Sequence, residues 1–254
     1  RAPRIFGLAP GVDFPKALVD GLLHRSASQP PEALARVHLI VNTTRMERRL
    51  RKLFDQGPAR LLPRLHLVTR LDQLDPAVSL PPAVNPLRRR LDLIALVSRL
   101  IDAQPHLAPR ASLYALTDSL AALMDEMQGE GVKASDIAAL DVSDQSEHWH
   151  RAQEFIRIAQ DFLDRTSTQP DNEARQRHLV LTLAQKWQEQ PPKDPVILAG
   201  STGSRGTTLL LMDAIARLPQ GAVVLPGFDF DWAKNHAVIQ DNIHFIAFVV
   251  SEKM

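Results

Sequence analysis

Residues 4–23 read Arg-Ile-Phe-Gly-Leu-Ala-Pro-Gly-Val-Asp-Phe-Pro-Lys-Ala-Leu-Val-Asp-Gly-Leu-Leu. The opening six residues form a short, largely apolar run, which predicts a buried strand. Pro10-Gly11 ends that run. Asp13 then stands where a helix needs a capping oxygen, with Pro15 near the first turn. Ala17, Leu18, Leu22 and Leu23 follow at helical spacing. The same order repeats. Residues 37–42 (Val-His-Leu-Ile-Val-Asn) predict a second strand, and Thr43 or Thr44 can cap a helix over 45–55. The apolar residues Met46, Leu50, Leu53 and Phe54 share one face of that helix. Residues 65–69 (Leu-His-Leu-Val-Thr) predict a third strand. Strands alternating with helices predict an α/β fold built on a parallel sheet.

From residue 85 the period changes. Asn85-Pro86 starts a helix to about 103, and further helices are expected at about 111–128, 134–140, 145–166 and 172–189. Gly129 and Gly131 are read as closing the second of these. With no strand signal in this stretch, it reads as a helical insertion. Alternation returns with a strand at 195–200, a loop at 201–206, a helix at 207–218, a strand at 221–226 and a strand-like end at 243–250. The expected organisation is a first part of the α/β core at 1–84, a helical insertion at 85–190, a second part of the core at 191–232 and a tail at 233–254.

Composition narrows the chemistry. The chain has no cysteine, which excludes disulfides, thiolate catalysis and cysteine-ligated metals and suits a cytoplasmic protein. No uncharged apolar run reaches about 18 residues, so no membrane partner is expected. The chain begins with Arg1 rather than Met and lacks a full signal-peptide pattern, so a piece of a longer protein is expected. A net charge of +1 hides an asymmetry: residues 1–110 hold 18 Lys and Arg against 9 Asp and Glu, and the remainder holds 12 against 20. One surface for a polyanion would explain the split, and so would ordinary fluctuation along a chain.

Three segments can meet an anion. The loop Gly7-Leu-Ala-Pro-Gly-Val-Asp-Phe-Pro-Lys16 lies where a nucleotide fold places its phosphate loop. A working loop needs glycines for backbone contact, a Lys for the β- and γ-phosphates and a Ser or Thr for magnesium. No Gly-Lys-Ser/Thr follows here, Asp13 is negative, and Lys16 reads as a solvated helix residue. The second segment is Gly200-Ser-Thr-Gly-Ser-Arg-Gly206, between a strand and a helix. Ser201, Thr202, Gly203 and Ser204 are its candidate phosphate contacts, although such loops are also plain connectors. The third is the basic face of the 45–55 helix. Arg45, Arg48, Arg49 and Lys52 recur at three- and four-residue spacing, and Thr43 and Thr44 stand at its start. These six residues are the candidate DNA contacts, against the alternative of a solvated basic face. Arg88, Arg89 and Arg90 form a second basic run, read mainly as solvated. His148-Trp149-His150 places two imidazoles two residues apart, which a helix does not bring to one face. Asp229 and Asp231 make no recognisable acid–base pair, and no nucleophile elbow occurs. No catalytic residue, metal or cofactor is expected.

The ordered pieces resemble the amino-terminal region of the AddB family, in its alphaproteobacterial type. The similar stretches are Ala9-Pro-Gly-Val-Asp-Phe-Pro-Lys-Ala-Leu18, Thr43-Thr-Arg-Met-Glu-Arg-Arg-Leu50, Pro81-Pro-Ala-Val-Asn-Pro-Leu-Arg-Arg-Arg90, Asp125-Glu-Met-Gln-Gly-Glu-Gly-Val132, Glu147-His-Trp149, Ala199-Gly-Ser-Thr-Gly-Ser204 and Ala216 to Asp229. The resemblance spans about residues 5–231, and its specificity lies in the order and spacing. It implies a P-loop-NTPase-like core of the UvrD helicase type with an inserted helical subdomain, acting in DNA double-strand break repair. It also implies an AddA-type helicase–nuclease partner that supplies the motor. In active relatives the second nucleotide-site strand ends in Asp-Glu, whereas Val196-Ile-Leu-Ala here ends in Gly200-Ser201. Both halves of an ATP site are therefore missing. The full-length protein would, by resemblance, be a subunit of an ATP-dependent helicase and exonuclease. After Trp232, Ala233 to Met254 departs from the family's continuation and is read as a divergent tail.

The resulting expectation is an ATPase-inactive module that contacts single-stranded or forked DNA without sequence preference and scaffolds an AddA-type subunit. Two other readings stand beside it: a nucleotide- or phosphate-binding enzyme using the Gly200–Gly206 loop, and a purely structural interaction domain.

Overall fold

The computed structural model describes residues 3–75, 78, 80–105, 108–133, 135–136, 139, 169–229 and 244–245. The chain divides into two compact units. One joins Arg1–Ser79 to Leu179–Met254, and the other is Leu80–His178.

The discontinuous unit is α/β. Its elements are β1 (Arg4–Gly7), α1 (Phe14–Ser26), β2 (His38–Val41), α2 (Thr44–Asp55) and β3 (Arg64–Leu67). After the other unit come β4 (Val196–Ala199), α6 (Gly206–Arg217), β5 (Gly221–Leu225) and the two-residue β6 (His244–Phe245). The strands form one sheet in the order β3-β2-β4-β5-β1-β6, and every pairing is parallel. The expected α/β class and parallel sheet are therefore found. A short 3-10 helix, Pro31–Arg36, has no counterpart in the sequence reading.

A parallel sheet needs both faces covered, so its strands carry near-continuous apolar residues. In β2, Leu39, Ile40 and Val41 are all buried. Leu39 and Val41 face the side covered by α1 and α2, where Leu18, Val19, Leu22, Leu50 and Phe54 complete the core. Ile40, Leu198 and Val223 alternate to the opposite face and are equally buried, and α6 packs on β4, β5 and β1. Gly221 permits that approach: a Cβ there would overlap the backbone oxygen of Ile215. Full burial of each such aliphatic side chain is worth about 1.5–3 kcal/mol, so these alternating positions hold the layers together.

The second unit contains α3 (Pro86–Ala103), α4 (Leu113–Glu130) and the start of α5 (Asn172–Glu189), whose later turns belong to the first unit. Asn85 caps α3, its Oδ1 accepting from the amides of Leu87 and Arg88. Leu93, Leu96, Val97 and Ile101 of α3 pack against Leu120 and Met124 of α4. Of the two glycines expected to close α4, only Gly131 takes the left-handed cap conformation, at φ 75°. Gly129 stays helical and buried, and its carbonyl accepts from Arg177 at 2.9 Å. The helices expected at 134–140 and 145–166, and most of the strand expected at 243–250, fall largely or wholly outside the described residues. No described helix is long and apolar enough to cross a membrane.

Candidate nucleic-acid interface

In an open parallel sheet, ligands gather outside the carboxyl ends of the strands, where neighbouring connections leave in opposite directions. Here β2 leads outward to β3 while its neighbour β4 leads the other way to β5, so the β2/β4 crevice is such a point. The register pairs Val41 with Ala199. Asn42-Thr43 and Gly200-Ser201 therefore emerge side by side. Asn42 Nδ2 donates to the Gly200 carbonyl at 2.7 Å and ties the two loops directly.

On the β2 side, Thr43 takes extended backbone and its hydroxyl accepts from the Met46 amide at 3.1 Å. The cap expected at Thr43 or Thr44 is thus Thr43, and Thr44 begins the helix. Arg45, Arg48, Arg49 and Lys52 lie exposed along α2 while Leu50 and Phe54 are buried, so the basic and apolar stripes occupy separate faces. Arg49 pairs with Asp13 at 3.1 Å. Among the described residues Arg45, Arg48 and Lys52 make no ion pair.

On the β4 side, Gly200 and Gly203 hold left-handed φ values of 82° and 71°. At Gly200 the left-handed φ is what calls for glycine, since a Cβ there would meet Phe14, Asn42 and Met46 only at ordinary contact distance. The Gly203 amide donates to Ser201 Oγ at 3.4 Å. Thr202 and Ser204 are exposed, and Ser201 and Gly203 half-buried. The α6 helix begins at Gly206 without a side-chain cap.

The first candidate loop, after β1, is filled from inside the protein. Asp13 accepts from the Lys16 amide at 3.3 Å, so a carboxylate already occupies the start of α1, where a phosphate would otherwise sit. Phe228 packs against Gly7 so tightly that a Cβ there would lie 2.8 Å from the phenylalanine Cβ. The Phe228 amide donates to the Leu8 carbonyl at 2.8 Å. Lys16 turns along its own helix to Asp20, at 2.7 Å. Among the described residues no group of three or more His, Asp or Glu is arranged to hold a metal ion. His148, His150 and Asp231 lie outside the described residues.

The second basic run has a different fate. Arg90 makes a two-pronged contact with Asp118 at 3.0 and 2.9 Å. Arg89, only 14% exposed, lies 2.9 Å from Asp125 and 3.0 Å from Asp171. Arg88 approaches Asp92 at 3.9 Å.

At the opposite, amino end of the sheet lies a cluster that the sequence reading did not single out. His38 of β2 and His66 of β3 stack with ring centroids 5.1 Å apart, and His38 Nδ1 lies 3.0 Å from His66 Nε2. Arg64 can only donate, and its Nη1 lies 3.2 Å from His38 Nε2. His38 must therefore accept there and donate through Nδ1 to His66. The remaining His66 Nδ1–H is buried and has no partner among the described residues. Burial foremost, then the neighbouring His38 and Arg64, pushes the His66 pKa down to about 4. His38 shifts in the same direction through burial and Arg64, partly offset by Asp194. The register pairing His38 with Arg64 brings these groups together, and local sequence periodicity does not reveal it.

Comparison with models of known protein families and with curated proteins finds no match to this chain.

Proposed function

We infer that the chain is a non-catalytic, helicase-like scaffold of AddB type that grips a nucleic-acid backbone at the carboxyl ends of β2 and β4. The observation that carries this reading is the Asn42–Gly200 hydrogen bond. It sets the Thr43-Thr44 helix start beside the Ser201–Ser204 loop, with the exposed guanidinium groups of Arg45 and Arg48 on the adjoining helix. Hydroxyls, helix-start amides and guanidinium groups are the donors that position phosphates without reading bases. Only 5% of residues are aromatic, which disfavours tight base stacking, so contact through the backbone is the better fit. The loop after β1, filled by Asp13 and Phe228, supports a core that has given up ATP. In this reading residues 85–190 are a subdomain inserted in a UvrD-type core. The protein works in the cytoplasm in double-strand break repair, and an AddA-type subunit provides the motor.

The test is fluorescence anisotropy with single-stranded and forked DNA over a salt series. Affinity should be independent of sequence and fall steeply with salt as counterions are released. The joint change Arg45→Ala and Arg48→Ala should flatten the salt slope by up to roughly two units. Unchanged binding by that variant, or none by the parent at low salt, would leave α2 as a solvated surface and favour the structural-domain reading. Calorimetry with ATP and magnesium tests the enzyme reading, which gains if a Kd below about 10 µM is found.

A further inference from the structure

A cavity of about 200 Å³ lies between α1 and the sheet, toward the amino ends of the strands and away from the β2/β4 crevice. Its walls include Phe6, Leu18, Leu22, Leu34 and Val224, all buried. An apolar cavity of about 150 Å³ is already enough to hold a benzene ring. This one therefore has room for a ring-sized or short-alkyl body, with apolar walls at Phe6, Leu18, Leu22 and Val224 and polar groups at Arg25, Ser26, Gln29 and Gln220.

Two further features give the cavity a direction. Among the described residues its charged lining residues are Arg4 and Arg25, and no carboxylate lines it. Arg25 is exposed in the last turn of α1 and makes no ion pair among the described residues. The second feature is Gly21, which lines the cavity from the middle of α1. A glycine inside a helix costs about 0.5–1 kcal/mol relative to alanine. Here it contributes no side chain to that wall. A packing defect alone explains the apolar walls, but it does not explain a helix glycine beside a rim charged with one sign only.

We propose that this cavity binds a small amphipathic organic anion, with its apolar body against Phe6, Leu22 and Val224 and its carboxylate at Arg25. The probes are octanoate, octanol and octylammonium, titrated calorimetrically into the 254-residue chain below their aggregation concentrations. Octanoate is expected to bind roughly tenfold more tightly than octanol, the difference a charge-assisted contact supplies, and octylammonium to bind weakest. Arg25→Gln should remove that preference and leave octanol binding unchanged. Gly21→Leu should abolish binding of both. Because leucine is the better helix former, that variant should keep or raise the Tm, so its loss of binding is not loss of fold. Gly21→Ala serves as the milder filling. DNA binding should be the same in all three variants. Equal affinity for octanoate and octanol, no binding of octanoate, or undiminished binding by a folded Gly21→Leu protein would each overturn the assignment.

Discussion

The two basic runs look alike as sequence and differ completely as structure. On α2, Arg45, Arg48 and Lys52 project outward without an ion pair among the described residues, while Arg49 is held by Asp13 and Arg51 by Glu47. On α3, Arg88, Arg89 and Arg90 each face an aspartate, and the partners of Arg89 and Arg90 come from α4 and from the segment leading into α5. The first run is a field directed at solvent. In the second, Arg89 is tied inside the helical unit, while Arg88 and Arg90 stay exposed in surface pairs. A cluster of like charges attracts a polyanion only if the fold has not already supplied the counter-charges, and that is decided by segments far away in the chain.

The sharpest way to break this contrast is at Arg89. Removing one partner of a largely buried ionic cluster strands the others without compensation. Arg89→Ala should lower stability by about 3 kcal/mol in urea denaturation while leaving DNA affinity of the folded protein unchanged. Retained stability would show that the α3 run is as idle as an exposed surface pair.

A smaller effect comes from adding charge to a buried imidazole that already faces Arg64. His66 is neutral when folded, with a pKa of about 4 against 6.5 in an unfolded chain. Above pH 6.5 its protonation is the same in both states. As pH falls below 6.5 the unfolded chain takes up the proton first, so stability is lost until the pH passes the folded value. The facing groups are His38, which shifts the same way, the Arg64 cation, and Asp194, which also holds Arg36 at 3.0 Å. Stability should drop by about 1–2 kcal/mol between pH 6.5 and 5, and His66→Gln should remove most of that slope. A flat profile in the parent protein would refute a buried, neutral His66.

On α2 the joint change Arg45→Ala and Arg48→Ala should weaken DNA binding roughly fivefold, about 1 kcal/mol, with little change in Tm. The smallest expected effect is at Asp13. Asp13→Asn keeps a capping oxygen for α1 but releases Arg49, so DNA affinity should rise by roughly two- to threefold at low salt. A fall instead would mean that the Asp13–Arg49 pair orients the interface rather than competing with the ligand.

What could be read from sequence follows from the range of the interactions involved. The strand and helix at Arg4–Ser26, a threonine cap at Thr43 or Thr44 and the helix beginning after Asn85 rest on neighbours within a few residues, and all were legible. The strand at β2 was legible from its continuous apolar run, which does not by itself say which face each side chain takes. The Asn42–Gly200 bond was not, since it depends on β4 rather than β1 lying next to β2, and strand order is not written in local periodicity. The histidine pair stayed hidden for the same reason. Gly129 shows the converse error. Two glycines near a helix end look interchangeable, but the hydrogen bond from Arg177 to Gly129, made from another helix, accompanies its helical placement.

The pairing of β1 with β5 has a kinetic consequence. Ile5 finds its partner Val223 only after the segments forming β2, β3 and β4 have been made. Loop closure over such a separation is slow relative to local helix formation. While the chain is being synthesised, the apolar face of β1 and the α1 residues that pack with it must wait for strands near the other end. A helical hairpin such as α3–α4, whose contacts are local, can form in the meantime. Refolding should therefore show an early gain of helix and a later gain of sheet, with the first-made strand among the last to be secured and the one most in need of protection from other chains.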